Sequence, residues 1–175
     1  VLDRNGAWEA VLENAYDIIV TGEINGEDTL TFSIPYRDEK RKYIDNEKKV
    51  QIVDDVYKIR TITDVKDSTG STITQVYAEA EFYDLTFSVR KEEKQFDAET
   101  ADTAMAYALE DTEWSVGTVN VTSKRTWTCT EKNALAILRS IADLHGGDLV
   151  FDCPNRLVHL LTVNGKDSGA LFAYK

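Results

Sequence analysis

Asn25-Gly26 stands between two runs in which apolar residues recur at alternate positions, with Ile18, Val20 and Ile24 before it and Leu30, Phe32 and Ile34 after it. Both residues of such a pair tolerate positive φ, which a tight hairpin turn demands. Alternation puts one apolar row on a single face of a pleated strand. The stretch is therefore read as an antiparallel hairpin, with Thr29, Thr31 and Ser33 on the opposite face of the return strand. Pro35 cannot donate to a ladder and stops that strand.

The rest of the first half follows the same pattern. A charged stretch from Tyr36 to Lys49 reads as a long loop or a short helical turn. Strands are expected near Val50–Val53, Tyr57–Val65 and Ile73–Tyr83, joined at Asp54-Asp55 and Ser68-Thr69-Gly70, where the residues suit turns. Five or six short antiparallel strands at this spacing predict a small barrel or sandwich. Beyond Arg90 the pattern changes. Lys91-Glu92-Glu93-Lys94 reads as a solvated crossover, and Asp97 is placed to cap a helix. That helix carries Ala101, Ala104, Met105, Ala108 and Leu109 on one face. Trp114 and a strand at Thr118–Thr128 come next. Thr128 and Glu131 form a capping-box pattern ahead of a second helix, whose apolar face is Ala134, Leu135, Leu138, Ile141 and Ala142. Gly146-Gly147 closes that helix with the positive φ a left-handed C-cap uses. A hairpin is expected from Leu149–Cys153 and Leu157–Val163 around Pro154-Asn155. The loop Gly165–Gly169 then leads to a last apolar strand, Leu171–Tyr174. The fold class read from this order is α+β. It comprises a β-barrel-like domain over residues 1–90 and a smaller α/β domain with two helices over 91–156. The strands of 157–175 are expected to return to the first domain.

With 42% hydrophobic and 29% charged residues among 175, the chain can build a core and is not of the disordered class. No apolar run approaches the roughly 18 residues that span a bilayer, so membrane insertion is not expected. The opening lacks an initiator Met and any signal-peptide pattern. The reading is of a piece cut from something longer, the alternative being a processed chain. Net charge is −11, and both halves are acidic, with 11 basic and 18 acidic residues in 1–90 and 9 and 13 in 91–175. A duplex binder displaces counterions with a basic face, and none is visible.

The residue types that carry catalysis are few. His145 falls in the last turn of the second helix, where an imidazolium complements the helix dipole. His159 alternates with Leu157 and Leu161 and reads as a strand residue. Cys129 and Cys153 both read as small buried thiols, and neither has the basic helix-N-terminal setting that activates a nucleophile. The four Cys and His residues have no zinc-ligand spacing. Asp54-Asp55 would point to opposite faces of a strand and so reads as a turn, not as a glycosidase pair. Asp64, Asp67 and Gly70 form a calcium-loop fragment without its terminal Glu. Gly165–Gly169 lacks the Lys-Ser/Thr end of a phosphate loop. No catalytic, cofactor-binding or metal-binding residue is assigned, and no cofactor is expected.

Taken in order, several strings resemble a known family. Leu12–Tyr16 and Glu23–Pro35 are similar to the opening hairpin of phage minor tail proteins of the prophage-endopeptidase-tail, or tail-associated-lysin, type. Val56–Ile59, Thr100–Leu109, Trp114–Gly117, Asn133–Leu135, Ala142–Asp152 and Gly165–Gly169 follow in the family's order. The resemblance covers nearly the whole chain. It implies an architecture like the baseplate hub of contractile tails, with β-barrel-like domains and an inserted α/β domain. Three copies would form a ring at the virion's tail tip, made in the bacterial host cytoplasm, next to distal tail and tape-measure proteins. DNA would pass through such a ring without specific binding, for which acidic walls are suited. A peptidase or peptidoglycan-degrading region would lie further toward the C-terminus of full-length relatives. The match also lacks a strand before the first hairpin, which leaves that hairpin's outer pairing open.

Two other readings stand beside the structural hub. One is the N-terminal part of a tail-associated cell-wall hydrolase or endopeptidase. The other is a host-surface carbohydrate-binding module, whose sign would be exposed aromatic residues. Trp8, Trp114 and Trp127 sit within or beside expected elements, which favours core packing for all three.

Overall fold

The computed structural model describes residues 1–162 apart from 54, 67 and 69. The chain forms two compact units, Val1–Tyr83 and a second beginning at Asp84. The change falls seven residues before the expected boundary at 90. The chain runs across that change in 3-10 turns at Glu81–Phe87, where Phe82 and Leu85 are buried.

In the first unit, β1 (Tyr16–Gly22), β2 (Asp28–Pro35), β3 (Lys49–Ile52), β4 (Asp55–Lys66) and β5 (Thr72–Ala80) make one sheet in the order β1-β2-β5-β4-β3. Every pairing is antiparallel, and the sheet curls into a half barrel. Leu30, Phe32 and Ile34 are buried on one face of β2, as alternation requires. Val76 and Ala78 on β5 and Tyr57 and Ile59 on β4 complete that layer. The hairpin forms around Asn25-Gly26, but only Asn25 takes the positive φ, 57°. Gly26 is there for closeness, since a Cβ on it would stand 2.8 Å from the Glu23 side chain. The charged stretch contains one short 3-10 helix, Glu39–Tyr43, capped by the Asp38 carboxylate.

β1 departs from the alternation. A bulge between Tyr16 and Ile19 carries Asp17 at φ 51°. Ile18, Ile19 and Val20 are all about half exposed instead of sharing one buried row. The reason is position: β1 is an edge strand, and nothing among the described residues covers its outer side.

The second unit holds β6 (Val89–Arg90), β7 (Lys94–Thr100), α1 (Ala101–Leu109), β8 (Ser115–Val119), β9 (Lys124–Cys129), β10 (Lys132–Asn133), α2 (Ala134–His145), β11 (Asp148–Asp152) and β12 (Leu157–Leu161). β7 pairs with β9, β6 with β10, and β11-β12-β8 form a mixed sheet in which β12 runs parallel to β8. The helix faces read from the sequence are the ones buried: Ala101, Ala104, Met105, Ala108 and Leu109 on α1, and Ala134, Leu135, Leu138, Ile141 and Ala142 on α2.

The caps are elsewhere than expected. Asp97 lies inside β7, where its carboxylate accepts from the Thr126 hydroxyl, and Thr100 is the residue before α1. Thr128 belongs to β9, and Glu131 precedes β10; α2 is capped by Asn133, whose side-chain oxygen accepts from the Ala136 N–H at 2.8 Å. Lys94 opens a strand where a crossover was expected, because its run pairs with β9. The strand expected at Thr118–Thr128 is two strands, β8 and β9. Gly146 ends α2 at φ 80° and ψ 155°, a conformation that a Cβ disfavours, though not the left-handed helical one. Leu157–Leu161 pairs with β11 and β8, not with a strand of the first unit. The expected Gly165–Gly169 loop and Leu171–Tyr174 strand lie outside the described residues.

Candidate functional site

The thiol and imidazole groups sit in settings that oppose nucleophilic chemistry. Cys129 ends β9 fully buried, its Sγ 3.5 Å from the Thr130 carbonyl, and burial pushes the thiol pKa up. An attacking cysteine needs the opposite shift. Cys153 is half-buried in the turn between β11 and β12.

His145 does occupy the last turn of α2, but its ring is buried, 6% exposed. Nδ1 lies 3.1 Å from the Ser123 carbonyl oxygen, and buried Nε2 has no hydrogen-bond partner among the described residues. Burial lowers its pKa, outweighing the Ser123 hydrogen bond that raises it, while the nearby Arg125 charge lowers it further. The neutral ring is favoured here, which reverses the expected dipole-stabilised imidazolium. His159, central in its sheet, accepts at Nδ1 from the Thr118 N–H at 2.8 Å. Its ring lies flush against Gly117, where a Cβ would come within 2.6 Å. Both histidines hold backbone in place.

The carboxylates are likewise committed. Asp64 accepts from Arg41 Nη2 at both carboxylate oxygens and from the Thr74 hydroxyl, which hold its pKa below the usual range. Its calcium-loop companion Asp67 lies outside the described residues, as does Asp54. Asp28 accepts from the Tyr57 hydroxyl at 3.1 Å, and burial raises its pKa. Among the described residues no group of three or more His, Cys, Asp and Glu could hold a metal ion.

What the first unit presents instead is apolar surface. Trp8 is 65% exposed, against the core packing expected of it, whereas Trp114 is buried and Trp127 stacks on Phe96 with ring centroids 4.9 Å apart. Val11, Ile18, Ile19, Val20 and Ile24 add to the exposed set. Trp8, Val11 and Ile18 line a groove of about 210 Å³ together with Phe32 of β2 and Val50 and Ile52 of β3. An uncovered edge strand beside an apolar groove is a recognised marker of an interaction surface. The signal for it was in the sequence, in the double apolar pair Ile18-Ile19, which strict alternation cannot bury on both faces.

Residues 1–80 match the family described as Prophage endopeptidase tail N-terminal domain, and residues 88–160 match Prophage endopeptidase tail domain. No curated protein matches the chain. Among solved structures, it is similar to prophage tail protein gp18 from Listeria monocytogenes EGD-e, with 14% identity and a TM-score of 0.78 over 99% of this chain and 54% of that one. It is also similar to the tail protein from Neisseria meningitidis MC58, with 14% identity and a TM-score of 0.59 over 90% of this chain and 48% of that one. At such identity the likeness is one of fold, and the chain spans about half the length of either structure. The two family matches fall in order, one on each compact unit. The chain belongs to the prophage endopeptidase tail family.

Proposed function

We propose that this chain is a structural module of a prophage tail, placed at the tail tip, where three copies assemble into a hub-like ring. The observation that carries the reading is the pair of tail-family matches laid end to end over 1–80 and 88–160. The exposed edge of β1 and its apolar groove support it, because a three-membered ring closes through a heterologous contact, one face of a copy meeting a different face of the next. A net charge of −11 suits a wall past which DNA must slide without sticking. Its neighbours in this reading are the distal tail and tape-measure proteins. The region itself is non-catalytic, and any peptidase or peptidoglycan-hydrolase activity belongs to another part of the full-length protein.

Light scattering on the full-length protein at tens of micromolar is expected to give a trimer mass, and a monomer or dimer mass counts against the hub. Incubated with peptidoglycan or casein, this 175-residue chain is expected to release nothing. Turnover that vanishes on Cys129→Ala or His159→Ala would overturn the non-catalytic reading.

A further inference from the structure

The polar face of the five-stranded sheet is hollowed into a trough of about 380 Å³, spanning β1, β2, β5 and β4. Cross-strand register arranges its floor in two rungs. In the first, Ile19 pairs with Thr31, Thr31 with Tyr77, and Tyr77 with Thr61. In the second, Ser33 stands opposite Gln75, and Gln75 opposite Thr63. The solvent face of a sheet in so charged a chain would ordinarily carry Lys and Glu. Of the residues lining this trough, Asp17 at the rim is the one charged group, held at φ 51° by the bulge of β1.

The floor side chains are also uncommitted. The Tyr77 hydroxyl donates to Glu79 at 3.0 Å, which fixes that ring. Among the described residues, no side-chain hydrogen bond engages Thr31, Thr61, Thr63 or Gln75. The result is three hydroxyls and an amide facing solvent, with Gln75 and Thr63 paired across neighbouring strands roughly 4.8 Å apart and Thr31 and Thr61 on the two strands that flank Tyr77. They are mounted on central strands that do not need to reorganise. Ligand sites are concave, preformed and supplied with a few convergent polar groups, and about 300 Å³ is enough for a small one.

We propose that this trough binds a neutral oligosaccharide. Hydroxyl and amide side chains exchange hydrogen bonds with sugar hydroxyls, the Asp17 carboxylate accepts further ones, and the Tyr77 ring offers a face for the sugar's C–H groups. A nucleic acid is the wrong partner, since its affinity comes from cations at phosphates and the lining has no Lys or Arg. An apolar ligand is equally wrong, since it would leave the floor hydroxyls unpaired. This site is independent of ring assembly, and either can fail without the other.

The test is amide chemical-shift mapping of the ¹⁵N-labelled chain against chitotetraose and maltotetraose, with heparin as a polyanion comparison. At least one sugar is expected to shift amides of β2, β4 and β5 around Thr31, Thr63 and Gln75, and heparin to leave them in place. Gln75→Ala is expected to weaken the binding sugar by about fivefold, the loss of one hydrogen bond. Thr61→Val, which keeps the shape and removes the hydroxyl, carries the same test should the first variant fold poorly. Lys124→Ala on the second unit is expected to change nothing. The proposal is overturned if neither sugar moves these amides at about 20 mM, a ceiling that still detects millimolar affinity. It is also overturned if the shifts fall elsewhere, if heparin occupies the trough, or if both trough variants bind as tightly as the parent.

Discussion

At Val53, between β3 and β4, a β-branched residue holds φ 55° with 83% of its surface exposed. Positive φ forces the Val Cβ against the backbone, and no burial there compensates. Val53→Asn is expected to stabilise the first unit by about 1 kcal/mol, read as a higher urea midpoint. Gly117 shows the opposite constraint. A methyl group there meets the His159 ring at 2.6 Å and displaces the acceptor of the Thr118 N–H. Gly117→Ala is expected to cost about 2 kcal/mol, and the double variant Gly117→Ala/His159→Ala to cost less than the two singles summed. His145 supplies a pH test. Its folded pKa lies below the ordinary value of 6.5, so the unfolded chain takes up protons at a higher pH than the folded one. Stability from this group is therefore full above about 6.5 and is lost as pH falls through that value toward the folded pKa. The unfolding midpoint of the second unit should drop between about pH 7 and 5, and His145→Gln should flatten that dependence.

At the scale of elements, α2 was legible down to five of its seven buried residues, all but Ile137 and His145, because a 3.6-residue repeat in Ala134, Leu135, Leu138, Ile141 and Ala142 has one geometric solution. Its start was not. Thr128 and Glu131 satisfy the capping-box pattern, but Thr128 is already used in the β9 ladder opposite Gln95. Asn133 caps instead, and Asn133→Ala is expected to lower the second unit's stability by about 1 kcal/mol in denaturant unfolding. The same competition took Asp97 into β7. A local signal loses to a strand partner that is distant in sequence, and β7 and β9 stand some thirty residues apart.

For the whole molecule, the tail reading turns on whether the free edge of β1 is an interface. Val20 is 48% exposed on that edge and opposite Leu30. A lysine there would repel an incoming strand or apolar surface while asking little of the fold. Val20→Lys in the full-length protein is expected to reduce the scattering mass toward a monomer, with the unfolding midpoint shifted by no more than about 0.5 kcal/mol. A trimer that persists in this variant would place the ring contact on another face.

Periodicity in the sequence was enough to identify the α+β class, the opening hairpin and both helix faces. Each of these depends on residues close together in the chain. The order β1-β2-β5-β4-β3, the parallel pairing of β12 with β8 and the placing of Leu157–Leu161 in the second unit depend on long-range pairing, which leaves no local trace. Exposure followed the same division. Ile18, Ile19 and Val20 look like core residues in sequence, but β1 lies at a sheet edge and leaves them in solvent. Thr31, Thr61, Thr63 and Gln75 look like unremarkable solvent-facing residues until strand register sets them side by side in one trough. A side chain's type is a local property, whereas its neighbours are set by how the sheet is wound.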